Sequence, residues 1–485
     1  MRSKSLFGSG LAGLGEATLF SSCSLLMRGR LASVGAIAGG TLALAAACAP
    51  APPVVLAGPQ PEAVVARAPH ANTELGKRID SAPELVVSGE RLNVGLLRRF
   101  YAGHGFEPIW ATRQAQANSL VNAVLGAGDH GLAPELFHAN LLRQTAALSP
   151  LDRELLVSDA FLSYADALAR GAMPVEHRTD DETLTPEPID VAVALDTAIG
   201  SPDPAAVIEA LAPTTPTYRA LRQALQRYRS GTPAGDKATT SRLREIEVNL
   251  ERQRWLPRRL PAESVWVNAA DARLVFYRAD RPVFSTRVSV GQDEKRNQSP
   301  EFLATIDGIF NPPWNIPGDI ATEEILPKTR SDPNYLARHN MVMLPNGGLQ
   351  QLPGPNAGLG QLKFEMENRF DVYLHDTPSK DLFNRDNRRI SHGCIRVQNP
   401  RELAALLMQQ PIDTINQAIG RGGTNRSNLP APVPVFVVYQ TAFVDIDGTL
   451  QFRPDVYSRD AEIWPHLSPV QQRVAEREWP GQPQG

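Results

Sequence analysis

The sequence predicts an α+β protein, a helical scaffold followed by a mainly-β domain. From Asn93 to Tyr228 apolar residues recur at helical spacing and stop at glycines. From Val265 to Phe310 the chain instead runs in short segments rich in Val and aromatics, with turns between them. The 485 residues exceed one ordinary domain. With 42% hydrophobic and 21% charged residues the balance is that of a soluble globular chain. A net charge of −3 and a pI near 6.3 exclude the basic footprint of a nucleic-acid binder.

In chain order, residues 1–48 read as a signal peptide. Met27-Arg28-Gly29-Arg30 is a basic start, Leu31 to Ala47 a small apolar run, and Ala45-Ala46-Ala47 a small-residue cleavage site. The pattern fits best if translation begins at Met27. Cys48, directly after the alanines, offers a second reading, a lipidated N-terminal cysteine. The run is too short and small-sided for a permanent membrane span. Residues 49–90, with Pro50, Pro52, Pro53, Pro59, Pro61 and Pro69, read as a flexible tether without a core.

Residues 91–255 are expected to form the helical scaffold. Val94, Leu96, Leu97, Phe100 and Tyr101 make one amphipathic set. Leu120, Val121, Val124 and Leu125 make a second, ending at Gly126. Ser149-Pro150-Leu151-Asp152 is a strong helix start, with Ser as N-cap and Pro in the first turn. Leu155 to Leu168 then line an apolar side. Helices are also expected over Ala205–Leu211, Thr217–Tyr228 and Ser241–Arg254. His104, His130 and His138 read as loop or satisfied surface histidines rather than ligands.

Residues 256–442 make the second domain. Val265–Asn268, Arg273–Arg278, Val283–Val290 and Phe302–Phe310 read as strands. Asn311-Pro312-Pro313-Trp314 is a rigid turn, and residues 318–350 read as helix and loop without a sheet pattern. Arg401–Gln409 is a helix entered through Asn399-Pro400, and Val433–Gln440 a final buried strand. In the extension over 443–485, Asp445-Ile446-Asp447-Gly448 lacks the later acidic ligands of a calcium loop and reads as a turn.

The chemistry concentrates in one stretch, Tyr373-Leu374-His375-Asp376-Thr377-Pro378 through Ser391-His392-Gly393-Cys394-Ile395-Arg396. Cys394 is the only cysteine after Cys48. In an oxidising compartment an unpaired thiol is either a buried small hydrophobe or a working thiolate. Its polar, glycine-punctuated surroundings favour the latter. A thiol is little ionised at neutral pH and needs a base, and His375 and His392 supply imidazoles nearby. Gly393 leaves room for a substrate carbonyl beside backbone N–H groups. Val372–Leu374 reads as a strand delivering His375, and Gly393–Val397 as a turn entering another. Three ligands for zinc are the competing reading, but tight local pairs such as Cys-x-x-Cys are missing, so neither metal nor cofactor is expected.

These residues, with Phe310 to Pro317, Pro353-Gly354-Pro355 and Gly360 to Phe364, resemble the signature of the L,D-transpeptidases. Over about residues 90–460 the chain is similar to the large periplasmic members that carry a helical scaffold. The resemblance implies a catalytic domain whose residues 318–350 cap the active site. It also implies a Cys394 thiolate attacking a peptidoglycan stem peptide, His375 as base, and an oxyanion held by Gly393 and Cys394 N–H groups with the Tyr373 hydroxyl. His392 either tunes the thiolate or orients the turn. Arg396, Ser391, Asp376 and Trp314 are expected to contact substrate, with a structural salt bridge as the alternative for Arg396 and a buried aromatic as the alternative for Trp314. Expected further are 3→3 cross-linking with release of D-Ala, acylation by carbapenem-type β-lactams, partners among other cell-wall synthesis proteins, and a periplasmic or envelope location. The chain departs from its larger relatives between Ser230 and Ser241, where too few residues remain for an inserted peptidoglycan-binding domain. Stem trimming by an L,D-carboxypeptidase and a non-enzymatic wall-binding scaffold stay open as alternatives.

Overall fold

The computed structural model describes residues 73–80, 84–178, 184, 186–231, 236–311 and 313–468. The expected signal peptide over residues 1–48 and most of the expected tether lie outside these residues.

The helical region is built as its apolar spacing requires. Asn93 caps the helix Val94–Gly103 by accepting from Leu96 N–H, and Leu97, Phe100 and Tyr101 are buried on its inner side. Ser149 caps the long helix Pro150–Arg170 by accepting from Asp152 N–H at 3.1 Å. That helix runs through the middle of the core, with Leu155, Leu156, Phe161, Leu162 and Leu168 all buried. Around it pack Gln114–Leu125, Val191–Gly200, Pro216–Gly231 and Lys237–Arg254.

Two sequence expectations are corrected here. The tether does not extend to residue 90. Glu74–Asp80 is a helix, followed by strands β1 (Leu85–Val87) and β2 (Glu90–Leu92). Leu75 and Ile79, one helical turn apart, and Leu85 and Val87, alternating on a strand, all enter the scaffold core. Nor are His130 and His138 surface groups, being 1% and 7% exposed. His130 Nδ1 lies 2.7 Å from the Tyr218 hydroxyl with its Nε2 against Glu209, and His138 Nε2 lies 2.8 Å from Asp159. Buried polar groups need such partners.

The second region is a nine-stranded sheet. Its strands are β3 (Ser264–Asn268), β4 (Arg273–Arg278), β5 (Arg281–Gly291), β6 (Phe302–Phe310), β10 (Lys363–Met366), β11 (Leu374–His375), β12 (Arg389–Ser391), β13 (Ile395–Val397) and β14 (Arg426–Val438). The order is β12-β5-β13-β11-β10-β6-β14-β3-β4, and β4 also pairs with β5, so the sheet closes on itself. Val265, Val267, Leu274, Phe276, Val288, Phe302, Ile306, Phe364, Leu374, Ile395, Val435 and Val437 fill the enclosed core together with Leu403, Ala404 and Leu407 of the helix Pro400–Met408.

Residues 318–350 carry the expected helical turns but also two strands. β8 (Met341–Met343) and β9 (Leu349–Gln351) join β7 (Trp314–Ile316) in a separate sheet of order β7-β9-β8. Ile316, Ala321, Ile325 and Leu349 give this segment, the expected cap, its own small core. Strands of three residues show too little alternation to be read from sequence.

Past β14 the chain returns to the helices. β15 (Ala442–Val444) and β16 (Leu450–Phe452) form a hairpin, turned at Asp445 to Gly448. Ala442, Ile463 and Leu467 belong to the helical core, the last two from the helix Arg459–Leu467. Asn249 Oδ1 accepts from Thr441 N–H at 3.0 Å, and Arg252 pairs with Asp460.

Candidate active site

The site is set by strand register. β11 and β13 are parallel neighbours with Leu374 opposite Ile395 and His375 opposite Arg396. One step back, Tyr373 lies beside Cys394, where its carbonyl accepts from Ile395 N–H at 3.0 Å. Leu374, Ile395 and Val397 point into the core and are 0% exposed. The period of two therefore puts Tyr373, His375, Cys394 and Arg396 together on the opposite face. β10 runs antiparallel to β11 with Lys363 opposite His375, so Lys363 joins the same face.

His375 is 3% exposed. Backbone groups of Asp376 and Leu359 hold the imidazole, and its Nδ1 has no hydrogen-bond partner among the described residues. Burial, with the Arg396 guanidinium beside it, pushes its pKa down to about 3. The ring therefore rests neutral, the form that can accept a proton. The half-buried Cys394 thiol lies 3.8 Å from the Asp371 carbonyl. Burial pushes the thiol pKa up, while hydrogen bonds from Tyr373 and the positive charges of Lys363 and Arg396 work the other way. Tyr373 stays protonated, since burial and the adjacent thiol raise its pKa. Its hydroxyl meets both Cys394 and the Trp314 indole.

Gly393 takes a φ of +109°, a conformation that L side chains avoid, and this turns the chain sharply into Cys394. Its N–H donates to Ser391 Oγ at 3.2 Å and its carbonyl accepts from Ser299 Oγ at 2.7 Å. The N–H is thus spent on the turn, which corrects the expectation that it serves an oxyanion. Ser391, 2% exposed, also donates to the Cys394 carbonyl at 2.6 Å, so it braces the loop and does not face substrate.

Asp376 is corrected likewise. One oxygen accepts from Thr377 N–H and Lys380 Nζ, both at 2.7 Å, and the other from Gln361 N–H at 2.9 Å. The close approach needs Gly360, with φ +63°, where an added Cβ would sit 2.5 Å from the Asp376 side chain. His392 pairs with the cap. Its Nε2 lies 2.8 Å from Glu324 of the cap, consistent with orienting the turn. Trp314, half-buried in β7, packs against Gly358, where a Cβ would meet its ring at 2.9 Å. It therefore reaches the site through Tyr373. Arg396 is half-buried, and its Nε lacks a hydrogen-bond partner among the described residues.

Lys363 and Asp371 are the neighbours that the sequence reading missed. Lys363 is remote in sequence and joins only through β10–β11 pairing. Asp371 takes a φ of +52°, invisible in a non-glycine residue, and Asn368 holds its loop by accepting from Phe370 and Val372 N–H and donating to the Met366 and Val372 carbonyls. Among the described residues no cluster of three or more His, Cys, Asp or Glu side chains could hold a metal ion.

Residues 95–225 match the family described as a scaffold domain, and residues 262–435 match YkuD, described as the L,D-transpeptidase catalytic domain. A Haemophilus influenzae protein provisionally named as an L,D-transpeptidase is 28% identical over 400 residues, 76% of this chain and 78% of that protein. Among solved structures, an L,D-transpeptidase from Mycobacterium smegmatis aligns at 15% identity over 36% of this chain and 58% of its own, with a TM-score of 0.19. A cysteine-to-serine variant of an Enterococcus faecium L,D-transpeptidase aligns at 11% identity over 37% and 50%, with a TM-score of 0.18. The chain thus spans less than two thirds of either solved protein.

Proposed function

Because the chain carries a YkuD-type L,D-transpeptidase catalytic domain behind a scaffold domain, we propose that it forms 3→3 peptidoglycan cross-links through a Cys394 thioester. One observation carries this reading: a half-buried thiol and a neutral imidazole with an unpartnered nitrogen share one face of adjacent parallel strands.

In this reading His375 takes the Cys394 proton as sulfur attacks the carbonyl carbon of the third residue of a tetrapeptide stem. The Cys394 N–H and the Tyr373 hydroxyl stabilise the developing oxyanion. The C–N bond to the terminal D-Ala breaks, and the leaving amine takes the proton from the imidazolium. An acceptor amine then attacks the thioester, loses its proton to His375 and restores the thiol. Arg396 receives a substrate carboxylate through its planar fork. A peptidoglycan substrate would be met in the cell envelope, the location that a signal over residues 1–48 would serve.

The test incubates the chain, freed of residues 1–48, with disaccharide-tetrapeptide and reads products by mass spectrometry. Cross-linked dimers with loss of D-Ala, insensitive to chelator and absent in Cys394→Ala, are expected. Tripeptide alone would replace transpeptidation by stem trimming. Product from Cys394→Ala would remove the thiolate from the chemistry.

A further inference from the structure

We propose that Lys363 is a positioning residue for this reaction, its ammonium seating the Tyr373 ring and lending positive charge to the Cys394 sulfur. The inference rests on the thioester reading and adds to it a residue from a different strand. Lys363 sits opposite His375 on β10, as Arg396 does on β13, so the imidazole is bracketed by a cation on either side. The Lys363 Nζ lies 4.0 Å from the centroid of the Tyr373 ring, within cation–π range. That ring is edge-on to His375 at 5.7 Å between centroids, and its hydroxyl meets the thiol.

Two consequences follow from this row. A cation over its face fixes the ring, so the hydroxyl is aimed before substrate arrives. Positive charge near the sulfur opposes the cost of burying a thiolate. The groups that bear on the sulfur are Tyr373 just before β11, Lys363 from β10, Arg396 from β13 and Asp371 from the preceding turn, with His375 of β11 on the same face. Glu365 and Asp371 act on Lys363, and Glu324 of the cap acts on Arg396. Lysine is half-buried here, and burial lowers its pKa, as expected of an ammonium drawn toward a site rather than into solvent.

The experiment follows alkylation of Cys394 by iodoacetamide across pH in the substrate-free chain, comparing Lys363→Met, Lys363→Gln and Lys363→Arg. Both neutral variants are expected to raise the titration midpoint by about one pH unit, which is about tenfold slower alkylation at a fixed pH below it. Lys363→Arg is expected to keep the wild-type midpoint, with melting temperatures matching wild type in all three. Wild-type midpoints in folded Lys363→Met and Lys363→Gln would overturn the proposal, as would an arginine variant shifted as far as the neutral ones. Alkylation needs no stem peptide, so a chain that makes no cross-links still reports on Lys363. A normal lysine dependence without product would fault the reaction assigned above and leave this inference standing.

Discussion

At the level of single residues, the site separates groups that do chemistry from groups that hold them. His375 is buried with a pKa pushed to about 3. Since the folded value lies below the ordinary 6.5, the unfolded chain binds the extra proton first. Its contribution to stability is therefore present above pH 6.5 and is lost progressively as the pH falls toward 3. His375→Gln should flatten part of this acid destabilisation in melts from pH 7 to 4 while abolishing turnover; an unchanged acid limb would refute the buried neutral imidazole. Gly360 belongs to the holding groups. Gly360→Ala forces a Cβ toward Asp376 in a left-handed turn, and a loss of roughly 2–4 kcal/mol is expected in denaturant melts. Cys394, His375 and Tyr373 were legible because one local motif presents them. The bracing roles of Asp376, Ser391 and Gly393 were not, since a carboxylate or an N–H in sequence does not show where its hydrogen bonds go.

At the level of elements, the cap is a small unit with its own sheet and core, joined to the catalytic turn by the His392–Glu324 pair at 2.8 Å. Both side chains are partly exposed, so the pair contributes at most about 1 kcal/mol. Glu324→Gln should leave the melting temperature nearly unchanged. Its effect should appear in KM for the stem peptide rather than in the alkylation rate of Cys394. A comparable loss in both would mean that Glu324 supports the catalytic turn itself. The strands over 264–310 were legible from their alternation and β-branched content. The cap strands were not, because β7, β8 and β9 span only three residues each. The helix Glu74–Asp80 was missed for a related reason. Its Leu75 and Ile79 sit beside a proline-rich stretch whose composition suggested a tether, and tertiary burial outweighed that signal.

Across the whole molecule, the segment after the catalytic region completes the scaffold. Ile463 and Leu467 enter the helical core, and Arg252, 3% exposed, has Asp460 as its carboxylate partner. Removing residues 443–485 would open apolar surface and strand a buried guanidinium, which typically costs about 3–5 kcal/mol. Such a truncation is expected to lower the melting temperature by well over 5 °C or to aggregate; a truncated chain as stable as the intact one would show that the scaffold core closes without it. Arg254 and Glu251, both 0% exposed at 3.0 Å, make the same argument within one helix.

The sequence by itself determined the kind of chemistry and the order of its parts. A thiol, a histidine and a glycine turn lie within one short stretch, and apolar spacing separates helices from strands without reference to anything distant. Only the tertiary structure decided which polar groups remain available to a substrate. It turned His392 toward the cap, spent the Gly393 N–H on Ser391, closed the sheet through β4 and β5, and brought Lys363 opposite His375 and over the Tyr373 ring. The reason is physical. Side-chain type and local spacing are properties of neighbouring residues, whereas hydrogen-bond partners and strand register depend on segments that are far apart in the chain and meet only on folding.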